Sequence, residues 1–293
     1  MTATVLCAID GQTDPEVALI AGELAHGLGS RAVLAHVAKH PPAPPGSRSR
    51  RERERGRHQA NELGRALLRR MREELPAGLE ATERVELGPP VAKLLEIADD
   101  EDAELIVVGS RGRGPLRSAL LGSVSRSLVN CAPCPVVVVT PGAVRYHAGR
   151  PGPSGATVIC GVDGSKPSFE AARLAADLAE RLGDRPLLLH AFDARKRGAA
   201  RGLAEGEAVA PDGPKLRRLI ESGPPAHALE AVANREGARL IVVGARSHGP
   251  LRSALAASVS AQLVAAAGCP VVVLPERAEL DQGSGHYEVS RAA

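Results

Sequence analysis

The feature that most restricts this chain is that it repeats itself. Slid along itself by 135 positions, Gly88-Pro89-Pro90 falls on Gly223-Pro224-Pro225, and Leu105-Ile106-Val107-Val108-Gly109 falls on Leu240-Ile241-Val242-Val243-Gly244. At the same offset Gly114-Pro115-Leu116-Arg117-Ser118 meets Gly249-Pro250-Leu251-Arg252-Ser253, and Cys134-Pro135-Val136 meets Cys269-Pro270-Val271, with no gap in the stretch. The N-terminal portions match at an offset of 153, which lays Asp10 on Asp163. The second copy therefore reads as 18 residues shorter, the deletion falling between His190 and Gly223. Both halves must satisfy one fold, and 293 residues is ample for two units of ~150 residues each. The expected domains are residues 1–140 and 156–275, joined by a linker over 141–155 that is rich in Pro and Gly.

Within each copy, short β-branched runs alternate with helical patterns, which indicates βαβ units and a parallel sheet. In copy one, strands are expected at 5–9, 31–37, 82–87, 105–108 and 136–140. The first has no polar alternation, so both its faces should be buried. Helices are expected from Asp14-Pro15 to Gly27 or Gly29, then over 52–75, 91–101 and about 122–130. Copy two repeats the plan with a reduced middle, and the tail after Glu276 has no periodicity and is expected to be disordered. The last strand of each copy is an apolar edge that needs covering.

Composition removes several function classes. Aromatic residues make up 1% of the chain, with no Trp, two Tyr and two Phe, so a base-stacking platform for single-stranded nucleic acid has no material. The net charge of +3 is local: residues 48–57 hold six Arg against two Glu, leaving the rest near −1, so no domain-wide field for duplex DNA exists. That Arg-rich segment, 47–58, reads either as a solvated helix start or as an interaction arm for an acidic partner or nucleic acid. No signal peptide is visible, and the longest apolar stretches fall short of the ~18–20 residues a membrane span needs. A cytoplasmic protein is the expectation. Cys7 matches Cys160 and Cys134 matches Cys269 inside apolar runs, which suggests core packing. The lone Cys131-x-x-Cys134 pair is a weak metal or thiol signal, and the matched His36 and His190 show no ligand spacing.

The chemistry-bearing segment is Gly109-Ser110-Arg111-Gly112, nine further residues, then Gly122-Ser123. It follows a buried parallel strand and ends at the start of a helix, where open α/β sheets bind ligands. Gly109 and Gly112 let backbone N–H groups approach an anion. Gly122 opens a helix whose free N–H groups favour negative charge, and Ser123 and Ser125 add hydroxyl donors. This is not a Walker A loop, because Pro115 stands where the Lys would be. Asp10, at the end of the first strand, could accept from a ribose hydroxyl or an adenine amine, or could serve only to stabilise the turn before Gly11.

These residues resemble the universal stress protein family. The likeness is carried by Val-x-x-x-Ile-Asp-Gly at the start, Ile-Val-Val-Gly-Ser-Arg-Gly, the G-x2-G-x9-G-S loop and Ala-Pro-Cys-Pro-Val-Val-Val-Val at the end, over nearly the whole chain. It implies an α/β fold: two tandem open five-stranded parallel-sheet domains, strand order 3-2-1-4-5, flanked by helices. Members with the loop bind ATP, and their pattern carries onto Asp10, Gly109, Gly112, Gly122 and Ser123, with the backbone of Val37 facing adenine and Ser125 reaching phosphate. The implied cofactor is ATP, alone or with Mg2+. No dedicated catalytic residue belongs to the pattern, so the resemblance implies a stress-response regulator or survival factor with at most weak hydrolysis. In the family the last strands pair across a dimer, which implies pairing of the two copies here, with a homodimer and protein partners as further expectations.

Copy two departs from the pattern: Gly112 becomes Ser247 and Gly122 becomes Ala257, while Gly244 and Ser258 survive. If either glycine needs positive φ, its replacement costs about 1 kcal/mol or more and adds a Cβ facing the phosphates, so copy two is expected to hold nucleotide weakly or not at all. Arg111, Arg117, Arg246 and Arg252 flank the loops as surface groups or as screens for phosphate charge. Two other readings compete, a slow ATPase and a nucleotide-free scaffold for protein partners.

Overall fold

The computed structural model describes residues 2–11, 14–38, 50–110, 121–140, 143, 155–192, 216–245, 258–276 and 278. Repeat one runs β1 (Thr4–Ile9), α1 (Asp14–Leu28), β2 (Arg31–Ala38), α2 (Arg50–Arg72), β3 (Ala81–Leu87), α3 (Pro90–Asp100), β4 (Ala103–Gly109), α4 (Ser123–Cys131) and β5 (Val136–Val139). Repeat two runs β6 (Thr157–Gly161), α5 (Lys166–Leu182), β7 (Arg185–Phe192), β8 (Arg217–Ser222), α6 (Pro225–Glu236), β9 (Ala238–Gly244), α7 (Val259–Ala266) and β10 (Val271–Leu274). The tail beyond 278, most of the linker and residues 193–215 lie outside the described residues.

The strands form one ten-stranded sheet in the order β3-β2-β1-β4-β5-β10-β9-β6-β7-β8. Each half therefore carries the expected 3-2-1-4-5 order, parallel within itself. The halves join antiparallel, with Val271 opposite Val138, Val272 opposite Val137 and Val273 opposite Val136. Pairing within the chain covers both apolar edge strands, which unpaired would present rows of free N–H and C=O groups. Thr140 Oγ1 adds a donor across the seam to the Ala267 carbonyl at 2.8 Å.

All six residues of β1 are buried, because helices cover both faces of a parallel sheet. Alternate strand residues feed two cores. Val5, Cys7, Val107 and Val137 pack with α1, and that core continues through Val272 and Val242 into repeat two. Leu6, Ile106, Val136 and Val138 face the other way, toward Leu94 of α3 and Leu128 of α4. Burying one such side chain contributes about 1.5–3 kcal/mol, so a core nearly free of aromatics is sufficient when it is this continuous. Cys7, Cys134, Cys160 and Cys269 are all buried in these layers and form no disulfide, as their place in apolar runs implies.

The strand register corrects the repeat alignment. Helices α1 and α5 both stop at a glycine in the left-handed region, Gly29 and Gly183, each with φ 67°. His36 Nδ1 lies 2.8 Å from the Ile9 carbonyl, and His190 Nδ1 lies 2.9 Å from the Val162 carbonyl. Gly183 is 154 positions after Gly29, as His190 is after His36, so repeat two has gained one residue between Asp163 and Gly183. The shortening before Gly223 is then 19 residues, one more than a constant offset of 153 implies.

Candidate nucleotide-binding site

Parallel strands deliver their C-terminal ends to one side of the sheet, and in repeat one β1, β4 and β5 do so in register. Ala8 lies beside Val108, and Gly109 beside Val139. After Gly109 the chain is held by Ser110, whose N–H donates to the Val139 carbonyl at 2.9 Å. The Ser110 carbonyl accepts from Gly122 N–H at 2.8 Å, so the two ends of the intervening loop are pinned together. The loop itself, including Gly112, Arg111 and Arg117, lies outside the described residues.

Gly122 is the N-cap of α4, with φ −56° and ψ 155° and no side-chain cap. Its carbonyl accepts from Arg126 N–H at 3.0 Å, which leaves the N–H groups of Ser123, Val124 and Ser125 without partners inside the helix. No acidic residue stands in that first turn to offset the positive end of the helix dipole. The negative φ of Gly122 means that the glycine is not needed for a left-handed backbone, contrary to the conformational argument raised from the sequence. What it contributes is a helix start whose N-cap carries no side chain over the first-turn N–H groups.

The hydroxyls divide their roles. Ser123 is exposed at the mouth of the helix. Ser125 is buried, and its Oγ donates to the Gly122 carbonyl at 3.1 Å, with the Ser110 carbonyl at 3.5 Å, so it braces the base of the loop. Asp10 is half-buried directly after β1. Val37, also half-buried, follows His36 near the end of β2 and pairs with Glu86 of β3. Asp10, Gly109, Gly122 and Ser123 thus stand around one strand-end corner, with Val37 at the adjacent strand. Ser110 was not singled out from the sequence; its place between Gly109 and Gly112 was the available signal.

In repeat two the corresponding corner is built around Asp163, Gly244 and Ser258. Asp163 Oδ1 accepts from Ser165 N–H at 3.0 Å and from Ser165 Oγ at 2.6 Å, an Asx turn that engages the carboxylate locally. A Cβ on Gly244 would lie 2.5 Å from the Pro167 carbonyl oxygen, so the backbone of the first turn of α5 fills the space beside that strand end. Ser258 is the N-cap of α7, and its Oγ accepts from Ala261 N–H at 3.2 Å. Ser247, Ala257, Arg246 and Arg252 lie outside the described residues.

Elsewhere, burial acts on two matched thiols. Burial, helped by the charge of Glu104, pushes the Cys134 thiol up to about 12, and burial with the charge of Glu230 does the same for Cys269. Among the described residues, no cluster of three or more His, Cys, Asp or Glu could hold a metal ion, and no helix is long and apolar enough to cross a membrane.

The fold is that of a tandem α/β protein whose single sheet is built from two halves, each ordered 3-2-1-4-5 and joined through their fifth strands. The sequence profile of the universal stress protein family matches residues 1–140 and 156–275, and the chain belongs to that family. It is similar to Universal stress protein Rv2005c of Mycobacterium tuberculosis, 37% identical over 201 residues that cover 63% of this chain and 65% of that protein. The match to Universal stress protein Rv2623 of the same organism is 33% identical over 251 residues, 80% of this chain and 81% of that protein. Among solved structures, a universal stress protein from Archaeoglobus fulgidus superposes with a TM-score of 0.71 at 20% identity, covering 93% of this chain and 98% of that one.

Proposed function

We propose that this protein is an ATP-binding member of its family, acting as a stress-response regulator or survival factor, with nucleotide held mainly by repeat one. The observation that supports this reading is the contrast between the two helix starts. In repeat one the first turn of α4 follows a bare glycine N-cap, whereas in repeat two Ser258 occupies an N–H of α7 with its own hydroxyl. An open helix N-terminus beside a glycine-lined strand end suits a phosphate chain.

In this reading Gly109 and Gly112 let the backbone approach the phosphates, and Gly122 with the N–H groups that follow it receives them. Ser123 adds its exposed hydroxyl, and Ser125 keeps the loop base in place while its neighbours make the contacts. Asp10 takes a ribose hydroxyl or the adenine amine, and the backbone at Val37 faces the base. Mg2+, where present, accompanies the phosphates.

The test is chemical identification of what the protein carries. Purified protein is denatured and the supernatant analysed by mass spectrometry, then ATP turnover is measured on the refilled protein. Release of ATP with turnover near background supports a binding regulator. Turnover well above background that Asp10→Ala abolishes would replace it with the ATPase reading, and failure to bind any adenine nucleotide would leave the scaffold.

A further inference from the structure

The two repeats share a sequence pattern, yet they bring different charges to their common seam. Glu104, at the start of β4, is buried, and its carboxylate accepts from Ser30 Oγ within its own repeat. It also accepts from Arg181 of repeat two, Nη1 at 2.7 Å and Nη2 at 3.1 Å. Arg181 Nη2 donates in addition to the Leu28 carbonyl at the end of α1, 3.1 Å away, and Nη1 lies 3.6 Å from Asp177 Oδ2. One guanidinium of repeat two therefore holds both a buried carboxylate and a helix C-terminus of repeat one, the end that favours a cation.

The counterparts of these residues are not equivalent. By the structural register, Arg181 corresponds to Gly27, Ser30 to Asp184, and Glu104 to Arg239. Gly27 lies in the seam itself, since a Cβ there would stand 2.7 Å from Leu182 Cδ2 of the other repeat. In repeat two Arg239 binds its own Asp184, Nε at 2.5 Å from Oδ2 and Nη2 at 3.3 Å from Oδ1. Repeat one thus presents a buried carboxylate and no guanidinium, and repeat two presents a guanidinium to spare.

We infer that this cluster makes the seam heterotypic: the β5 edge of repeat one accepts a repeat two and rejects a second repeat one, and the reverse holds for repeat two. The strands cannot make this choice, because Val136–Val139 and Val271–Leu274 are nearly the same apolar sequence. Two repeat-one seams brought together would set each Glu104 against Gly27, burying a carboxylate that has lost its guanidinium and keeps the Ser30 hydroxyl of its own repeat. Two repeat-two seams would set Arg181 against Arg239, whose partner Asp184 already binds it in a fork. A buried charge deprived of its partner is strongly unfavourable, so either homotypic arrangement is selected against.

The test uses the full chain. Arg181→Glu and Glu104→Arg are each expected to shift the unfolding equilibrium toward the unfolded state, and the double reversal to recover about tenfold or more relative to the sum of the two. Where a reversal fails to fold, Arg181→Met and Glu104→Gln complete the same cycle. The pairing rule is read separately by light scattering. Adding Gly27→Arg to Arg181→Glu supplies each repeat one with the missing guanidinium, so this double variant is expected at about twice the wild-type mass, with Arg181→Glu alone below it. Equal masses for those two variants, or strictly additive effects in the charge cycle, would overturn the inference.

Discussion

Ser258 caps its helix and Ser123 does not, although the two occupy the same place in their repeats. The Ser258 hydroxyl accepts from Ala261 N–H at 3.2 Å, while Ser123 follows Gly122 and stands as the first helical residue of α4. One helix start is closed by the protein's own side chain, and the other, among the described residues, has no side-chain cap. Loss of an N-cap hydroxyl costs about 1 kcal/mol, so Ser258→Ala is expected to lower stability by that amount with nucleotide affinity unchanged. Ser123→Ala is expected to do the reverse. Urea unfolding and ATP titration of both variants check this, and equal stability losses would contradict it.

The core makes a simpler prediction. Ile106 is fully buried between β1 and β5, whereas Leu63 on α2 is 65% exposed. Ile106→Ala is expected to cost about 2–5 kcal/mol through lost burial and the cavity left behind. Leu63→Ala should fall within about 0.5 kcal/mol of wild type. Denaturant melts of the two variants separate these outcomes.

The thiols should label unequally. Cys131 is half-buried, while the other four cysteines are buried, with Cys134 and Cys269 pushed up to about 12 and Cys160 also raised by burial. The thiolate is the reactive form, so iodoacetamide at pH 8 should modify Cys131 first in the native protein and all five in denaturant. Because folding raises these pKa values, their contribution is present below the ordinary thiol range, near 8.5, and is lost as pH rises toward the folded value. Stability should therefore decline on the alkaline side. Native labelling of Cys134 at the rate of Cys131 would contradict the packing.

Asp177 carries a sign that can be tested. Burial raises its pKa, outweighing the attraction of Arg181, so its charged form is disfavoured by folding. Stability from such a group is present below the unfolded pKa of about 3.9 and is lost as pH rises through the folded value. Asp177→Asn is expected to be more stable than wild type at neutral pH, with the difference vanishing in acid. A variant less stable at pH 7 would show that its charge supports Arg181 more than burial opposes it.

The fold was largely legible because a buried parallel strand and a repeated glycine loop leave strong local marks. Val5, Cys7 and Ile9 announce a strand covered on both faces, and the matched apolar runs placed β4, β5, β9 and β10 within a residue or two. What escaped was whatever depends on contacts far apart in the chain. The one-residue gain before Gly183 lies in the 154-residue spacing of the matched His36 and His190, which a constant offset of 153 passes over, and their equivalent contacts with the Ile9 and Val162 carbonyls fix it. The Arg181–Glu104 pair joins residues 77 positions apart. Comparing the repeats hides it, because Arg181 aligns with a glycine and Glu104 with an arginine. Spacing and resemblance nominate the candidate site residues, but the inward turn of the Ser125 hydroxyl depends on backbone geometry that spacing does not encode.

The most direct test of the central claim is the stoichiometry of ATP binding, measured by calorimetric titration of nucleotide-free protein and of Gly122→Val. The account predicts near one ATP per chain for the wild type and loss of binding in the variant, because a branched side chain would cover the open start of α4. Two equivalent sites per chain, or unchanged binding by Gly122→Val, would contradict it.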